Sequence, residues 1–376
     1  MNRLPDFDGL RFVFCLGIAT FHYAFLIPIE NQTVAAIILR FAYFTDIFFI
    51  VSGLFLARGR SRVWNRRSYV AFIGKRLARI YPLHVAAFSC FVLISVLTAY
   101  GFLHLHSYQP DMSWRNALAQ LFLVQSWGFS SSMAYNYVTW SLSALLLMYL
   151  CFPFWDMLVD RWGRGLLLAG VAVALLGGDV LSRRMGAPSI TRAHLSDIGL
   201  LRALPSFLFG MWLAKGPHIS MPAWLIRLGL IACVLVFLFF APPAAAGEPP
   251  VLEGVPRLLF LYVFTTLLYA ASIRKVWTPL QWPGFERLSR YSFGVYILHP
   301  LVGFVFFRLF SPSWVHGTAS ALVLIAAGVI AVVLVAAVSY RLFENPVNRW
   351  LTGKINAWMS RGGDSSGRVA SQAGSA

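Results

Sequence analysis

The chain has 376 residues, of which 59% are hydrophobic and only 12% charged, with a mean hydropathy of +0.69. Soluble domains carry about 25% charged residues, so a water-soluble globular protein is excluded and a polytopic membrane protein is expected. The formal net charge of +17 would suit a nucleic-acid partner. The basic residues lie between apolar stretches, however, which assigns them to membrane topology and excludes nucleic acid.

Ten apolar segments are predicted, at 10–29, 35–56, 80–103, 137–157, 165–181, 199–214, 223–241, 257–273, 291–310 and 318–340. With the N-terminus inside, the cytoplasmic pieces hold 22 of the Lys and Arg residues, counting Arg227 near the inner end of its segment, and the outer pieces 5, counting Arg257 at the outer end of its segment. That asymmetry predicts that both termini are cytoplasmic. The first apolar run is too long for a cleavable signal, and no small-x-small site follows it.

Arg11 and His22 lie in the first segment, eleven residues apart. At about 100° per residue they share one helix face, about 16 Å apart along the axis. Ionisable groups inside a membrane helix are costly and by default mark function. His22 is a candidate general base, because an imidazole titrates near physiological pH. Arg11 is suited to a phosphate or carboxylate through its planar fork, or to anchoring the cytoplasmic end. Asp8 is expected to be the N-cap of the same helix.

The second segment carries Asp46, and a carboxylate at that depth needs a partner. Two pairings are open: His22, which Asp46 would orient and charge-stabilise, or an arginine such as Arg40 or Arg202. The loop at 57–79 is the basic extreme, and Tyr69–Arg79 is predicted to be an interfacial helix. Arg76 and Arg79, three apart on one face, form an anion site suited to a phosphorylated ligand. Positive-inside anchoring is the simpler reading of such a cluster.

Residues 104–136, with His104 and His106, form the longest outer piece, with a surface amphipathic helix expected. The fourth segment opens with Trp140 and Ser141, the sixth holds Arg202 and the ninth holds His299. These four are the cavity-lining candidates. The proline-rich loop 242–256 is expected to be extended and residues 362–376 disordered. Cys15, Cys90, Cys151 and Cys233 fall in apolar segments without metal-type spacing, so no metal site is expected. His84, His194, His218 and His316 stand alone, and no Walker, GxSxG or HExxH motif occurs.

FDGLR…FHY at 7–23, DIFFIVSGLFLAR at 46–58 and KRLARIYPLH at 75–84 resemble the opening motifs of the integral-membrane acyltransferase-3 proteins. That family O-acylates bacterial polysaccharides and lipopolysaccharides. TWSLSALLLMYLCFP at 139–153, LLRALPSFLFGMWLA at 200–214, SRYSFGVYILHPLV at 289–302 and YRLFENPVNRW at 340–350 resemble later segments in the same order. The resemblance implies that His22 is the catalytic base with Asp46 in the second motif. It also implies that Arg11, Arg76 and Arg79 handle acyl-CoA. One position departs: Leu145 and Leu146 stand where the fourth-span motif carries a carboxylate.

The expected architecture is all-α, about ten spans around a polar cavity. Residues 1–350 form the transmembrane domain, and 351–376 a cytoplasmic tail. The expected function is acyl transfer, most simply of acetyl, from acyl-CoA to a hydroxyl of an exported or lipid-linked glycan. It takes place in the bacterial inner membrane, with acyl-CoA as co-substrate, no resident cofactor and other glycan-assembly proteins as candidate partners. Two alternatives stay open: a glycan or anion transporter, since buried His, Asp and Arg also suit proton coupling, and a non-catalytic relative that has lost its carboxylate.

Overall fold

The structure is a computed structural model that describes residues 3–58, 63–103, 111–130, 134–192, 199–216, 220–239, 252–309 and 315–361. His104, His106, His194, His218, most of the loop 242–256 and the tail 362–376 lie outside the described residues. The described residues form helices and no strand. In chain order the helices are α1 Pro5–Tyr23, α2 Gln32–Leu39, α3 Phe44–Ala57, α4 Arg66–Ala99, α5 Trp114–Leu121, α6 Trp140–Trp162 and α7 Gly165–Arg184. There follow α8 Gly199–Ala214, α9 Ala223–Phe239, α10 Val255–Arg274, α11 Pro283–Leu288, α12 Ser292–Leu309, α13 Gly317–Ser339 and α14 Asn345–Ser360.

Among the described residues, seven helices are long and apolar enough to cross a membrane. They account for seven of the ten predicted segments. The other three coincide with α1, α8 and α9. Of these, α8 and α9 are shorter apolar helices, and α1 carries Asp6, Asp8 and Arg11 in its first two turns. The protein is therefore an all-helical, multi-pass membrane protein.

α1 starts at Pro5, where a missing N–H costs nothing because the first helical amides have no partner. Asp8 is consequently inside the first turn, paired with Arg3 at 2.8 Å, and is not the N-cap that the sequence suggested. Asp6 is the carboxylate that anchors this end. It is fully buried and accepts from Ser272 Oγ at 2.5 Å, from Gln281 Nε2 at 3.0 Å and from Thr278 Oγ1.

The expected interfacial helix at 69–79 is instead the lower part of α4, whose 34 residues run unbroken past Pro82. At 1.5 Å per residue that is about 50 Å, more than a bilayer core needs. An Asn65–Ser68 capping box starts it. α14 braces the extension: Arg67 donates to the Trp358 carbonyl and lies over its indole, and Ile355 packs on Gly74. Residues 351–360 of the expected tail are thus helical and packed against α4.

α3 and α8 cross in backbone contact. A Cβ at Gly210 would lie 1.9 Å from the Ile50 carbonyl oxygen, and one at Gly53 2.1 Å from that of Phe207. Small residues allow this approach where no hydrophobic force drives helices together in lipid. The contact aligns the N-terminal ends of the two helices and so sets Asp46 opposite Arg202.

Candidate active site

Three groups of polar residues follow one another along the bundle: an arginine-lined cavity, a pair of hydroxyls, and a pair of histidines. A buried ion cluster flanks them.

The cavity has a volume of about 430 Å³ and is walled by α1, α3, α4, α6 and α12. Among the described residues, its charged lining residues are Arg11, Arg76 and Arg79, with no carboxylate. Arg76 and Arg79 sit one turn apart on α4, as expected. Arg76 lies over the rings of Phe72 and Tyr149, at 5.5 and 5.8 Å, and its Nε has no hydrogen-bond partner among the described residues. Arg79 lies over Phe293 at 5.5 Å, with its Nη1 3.6 Å from Glu344. Glu344 ends a π-helical turn between α13 and α14 and is almost fully buried. Leu145 lines the cavity, so the position where the resembling motif carries a carboxylate faces open space here. Leu146 turns instead into the apolar core.

Beyond Arg11 on the same face of α1, Cys15 lines the cavity, and Ser141 and Tyr296 line it from α6 and α12. The Tyr296 hydroxyl is 2.6 Å from Ser141 Oγ and 3.0 Å from the Val138 carbonyl oxygen. The next residue back, Tyr137, presents its ring edge-on to His22, with ring centres 5.1 Å apart.

His22 is half-buried in the last turn of α1 and meets His299, which is fully buried on α12. His22 Nδ1 is 2.9 Å from His299 Nε2 and 3.0 Å from the Ile18 carbonyl oxygen. His299 Nδ1 is 3.2 Å from the Val295 carbonyl oxygen. A carbonyl only accepts, so Nδ1 of each ring carries its proton. His299 Nε2 then accepts from His22 Nδ1–H, and the lone pair of the neutral His22 is left on Nε2. That tautomer is the one a general base requires. Tyr23 fixes the helix behind the pair by donating to the His299 carbonyl oxygen at 3.0 Å.

Asp46 does not serve His22. Its carboxylate is fully buried and takes Arg202 in a two-pronged pair, Nε to Oδ1 at 2.5 Å and Nη2 to Oδ2 at 3.1 Å. Arg257 adds a third bond to Oδ2 at 2.6 Å. Of the two pairings left open by the sequence, the arginine pairing forms and the histidine pairing does not. The physical reason is charge: two buried guanidinium groups at the N-terminal ends of α8 and α10 demand a carboxylate more strongly than a neutral imidazole does. Trp140 caps Arg202 with its indole at 5.2 Å, and Tyr43 lies under Arg257 at 4.2 Å. Of the four cavity-lining candidates, Ser141 lines the cavity. Arg202, Trp140 and His299 stand behind its wall.

A family model for an acyltransferase domain, acyltransferase-3, matches residues 4–341. The chain belongs to the acyltransferase-3 family. It is similar to the acyltransferase MdmB of Streptomyces mycarofaciens, with 27% identity over 387 residues, covering 93% of this chain and 92% of the relative. No solved structure matches. The protein is accordingly a membrane acyltransferase that moves acyl groups other than aminoacyl groups.

The reading of the sequence missed Arg257 and Tyr296. Arg257 sits at the boundary of a predicted segment, where an arginine is ordinary. Tyr296 is one aromatic residue among several in an apolar run, and only its hydrogen bonds distinguish it.

Proposed function

We propose that the protein transfers an acyl group, acetyl in the simplest case, from acyl-CoA to a hydroxyl of an exported or lipid-linked glycan, at the bacterial inner membrane. The observation that carries this reading is a cavity with three arginines and, among the described residues, no carboxylate in its wall, aligned along α1 with a histidine whose Nδ1 holds the proton and whose Nε2 lone pair can accept another. The charge asymmetry of the loops supports a cytoplasmic location for the arginine end, on the side where acyl-CoA is made.

In this reading the CoA phosphates sit at Arg11, Arg76 and Arg79, through charge-assisted and partly bidentate hydrogen bonds. The pantetheine arm lies along the cavity. Arg11 and His22 are about 16 Å apart along α1, so the arm spans most of the gap. His22 Nε2 removes the proton of the acceptor hydroxyl, and the resulting alkoxide attacks the thioester. His299 holds the tautomer and shares the imidazolium charge through its Nε2. It fills the place that a carboxylate occupies in other triads. Asp46 acts at a distance, by fixing Arg202 and Arg257. Other glycan-assembly proteins are the natural partners, since the acceptor must be delivered to the outer half of the bundle.

The test is transfer of radiolabel from acetyl-CoA to a glycan fraction by the purified protein in nanodiscs. Label in the glycan with wild type, and none with His22→Ala, supports the reading. Acyl-CoA binding without transfer to any hydroxyl acceptor contradicts it.

A further inference from the structure

The hydroxyls of Tyr296 and Ser141 occupy an unusual position. Both are buried, both line the cavity, and they are 2.6 Å apart. Each also reaches the same acceptor, the Val138 carbonyl oxygen, at 3.0 Å from Tyr296 and 3.1 Å from Ser141. Two protons thus serve three contacts. A second acceptor oxygen entering from the cavity can take one of these protons while Val138 keeps the other.

The surroundings favour negative charge on such an oxygen. Ser141 is the second residue of α6, a 23-residue helix, and the N-terminal end of a helix carries roughly half a positive charge. Trp140, the residue before Ser141, lies against Arg202. Arg202 and Arg257 share the carboxylate of Asp46, so among the described residues this buried cluster holds two guanidinium groups to one carboxylate. The base is reached through its neighbours: the Tyr296 ring centre lies 6.0 Å from that of His299, which pairs with His22, and Tyr137, next to Val138, has its ring centre 5.1 Å from that of His22.

We propose that Tyr296 and Ser141 form the oxyanion site of the transferase and that Tyr296 is a catalytic residue. This rests on the acyl-CoA reading above. As the acceptor oxygen bonds to the thioester carbon, the carbonyl π pair moves onto oxygen, and the Tyr296 and Ser141 hydroxyls donate to it. The pair then returns, the C–S bond breaks, and the CoA thiolate takes the proton that His22 removed from the acceptor. Acyl-CoA and an alcohol become an ester and free CoA thiol, with no other reactant.

The test measures CoA-thiol release from acetyl-CoA by the protein in nanodiscs, with a glycan fraction extracted from a deletion strain as acceptor. Acceptor-dependent release by wild type, lost in His22→Ala, establishes the underlying reading first. Tyr296→Phe is then expected to lower kcat about 100-fold, the size of one oxyanion donor, with KM for acetyl-CoA unchanged. Ser141→Ala is expected to act in the same sense, and Ser141→Thr, which keeps the hydroxyl, to restore the rate. A kcat for Tyr296→Phe near that of wild type overturns the proposal. So does a rise in KM with kcat intact, which would make the two residues part of the cavity wall only. Should Tyr296→Phe fail to fold, the Ser141→Ala and Ser141→Thr pair decides by the same criterion.

Discussion

Replacing His299 by leucine removes one of the two acceptors of the His22 Nδ1 proton and little else, since His299 is fully buried and leucine fills much of the same space. In the resting state the bond between the rings, at 2.9 Å, joins two neutral groups. It becomes charge-assisted when His22 takes a proton. Neutral hydrogen bonds contribute about 0.5–1.5 kcal/mol and those to charged groups about 1.5–3 kcal/mol. The gain made only in the transition state is therefore about 1.5 kcal/mol, or roughly 10-fold in kcat. The Ile18 carbonyl oxygen, 3.0 Å from the same Nδ1, still holds the correct tautomer. The loss should thus fall well short of the roughly 10⁴-fold seen when a triad base is left in the wrong tautomer. Steady-state CoA-thiol release in nanodiscs, with saturating acetyl-CoA, measures it. His299→Gln, whose side-chain carbonyl can accept from Nδ1, should lie between wild type and His299→Leu. In the His22→Ala background, His299→Leu should have no further effect. Full activity of His299→Leu would refute the pairing argument, and so would additive losses in the double variant.

Arg76→Ala and Arg79→Ala should each weaken acyl-CoA binding by about 1.5–3 kcal/mol, the value of a hydrogen bond to a charged group, with kcat little changed; titration with CoA measures this directly. Asp46→Asn leaves Arg202 and Arg257 without a counter-charge, so a destabilisation of about 3–5 kcal/mol is expected, read as a fall in melting temperature in detergent. Adding Arg257→Gln should recover part of it, because the cluster becomes less cationic. Leu145→Glu should fold, since its side chain faces the polar cavity, whereas Leu146→Glu buries an unpaired charge in the core and should fail to accumulate; membrane expression separates the two.

Much of the site was legible in the sequence because it rests on local geometry. Arg11 and His22 share a helix face by periodicity alone, and Arg76 and Arg79 are one turn apart wherever that helix ends. What the sequence could not show depends on which helices touch. His22 and His299 are 277 residues apart, and no pattern in either segment names the other. Asp46 had two chemically sensible partners, and the Gly53–Gly210 crossing, visible only in three dimensions, decides for Arg202. The basic residues of 57–79 read as a surface loop because charge dominates local hydropathy there. α14 supplies the packing face that lets the helix run through them.

The most direct test of the central claim is the O-acyl content of the cell's surface and secreted glycans, by NMR or mass spectrometry, in three strains. These are a deletion, its wild-type complement, and a His22→Ala complement matched for membrane expression. Acyl groups restored by wild type and not by His22→Ala are the result this account predicts, and they would show that leucine at 145 is compatible with turnover. Equal acylation in all three strains, with the gene expressed and its glycan made, would contradict a His22-dependent glycan acyltransferase.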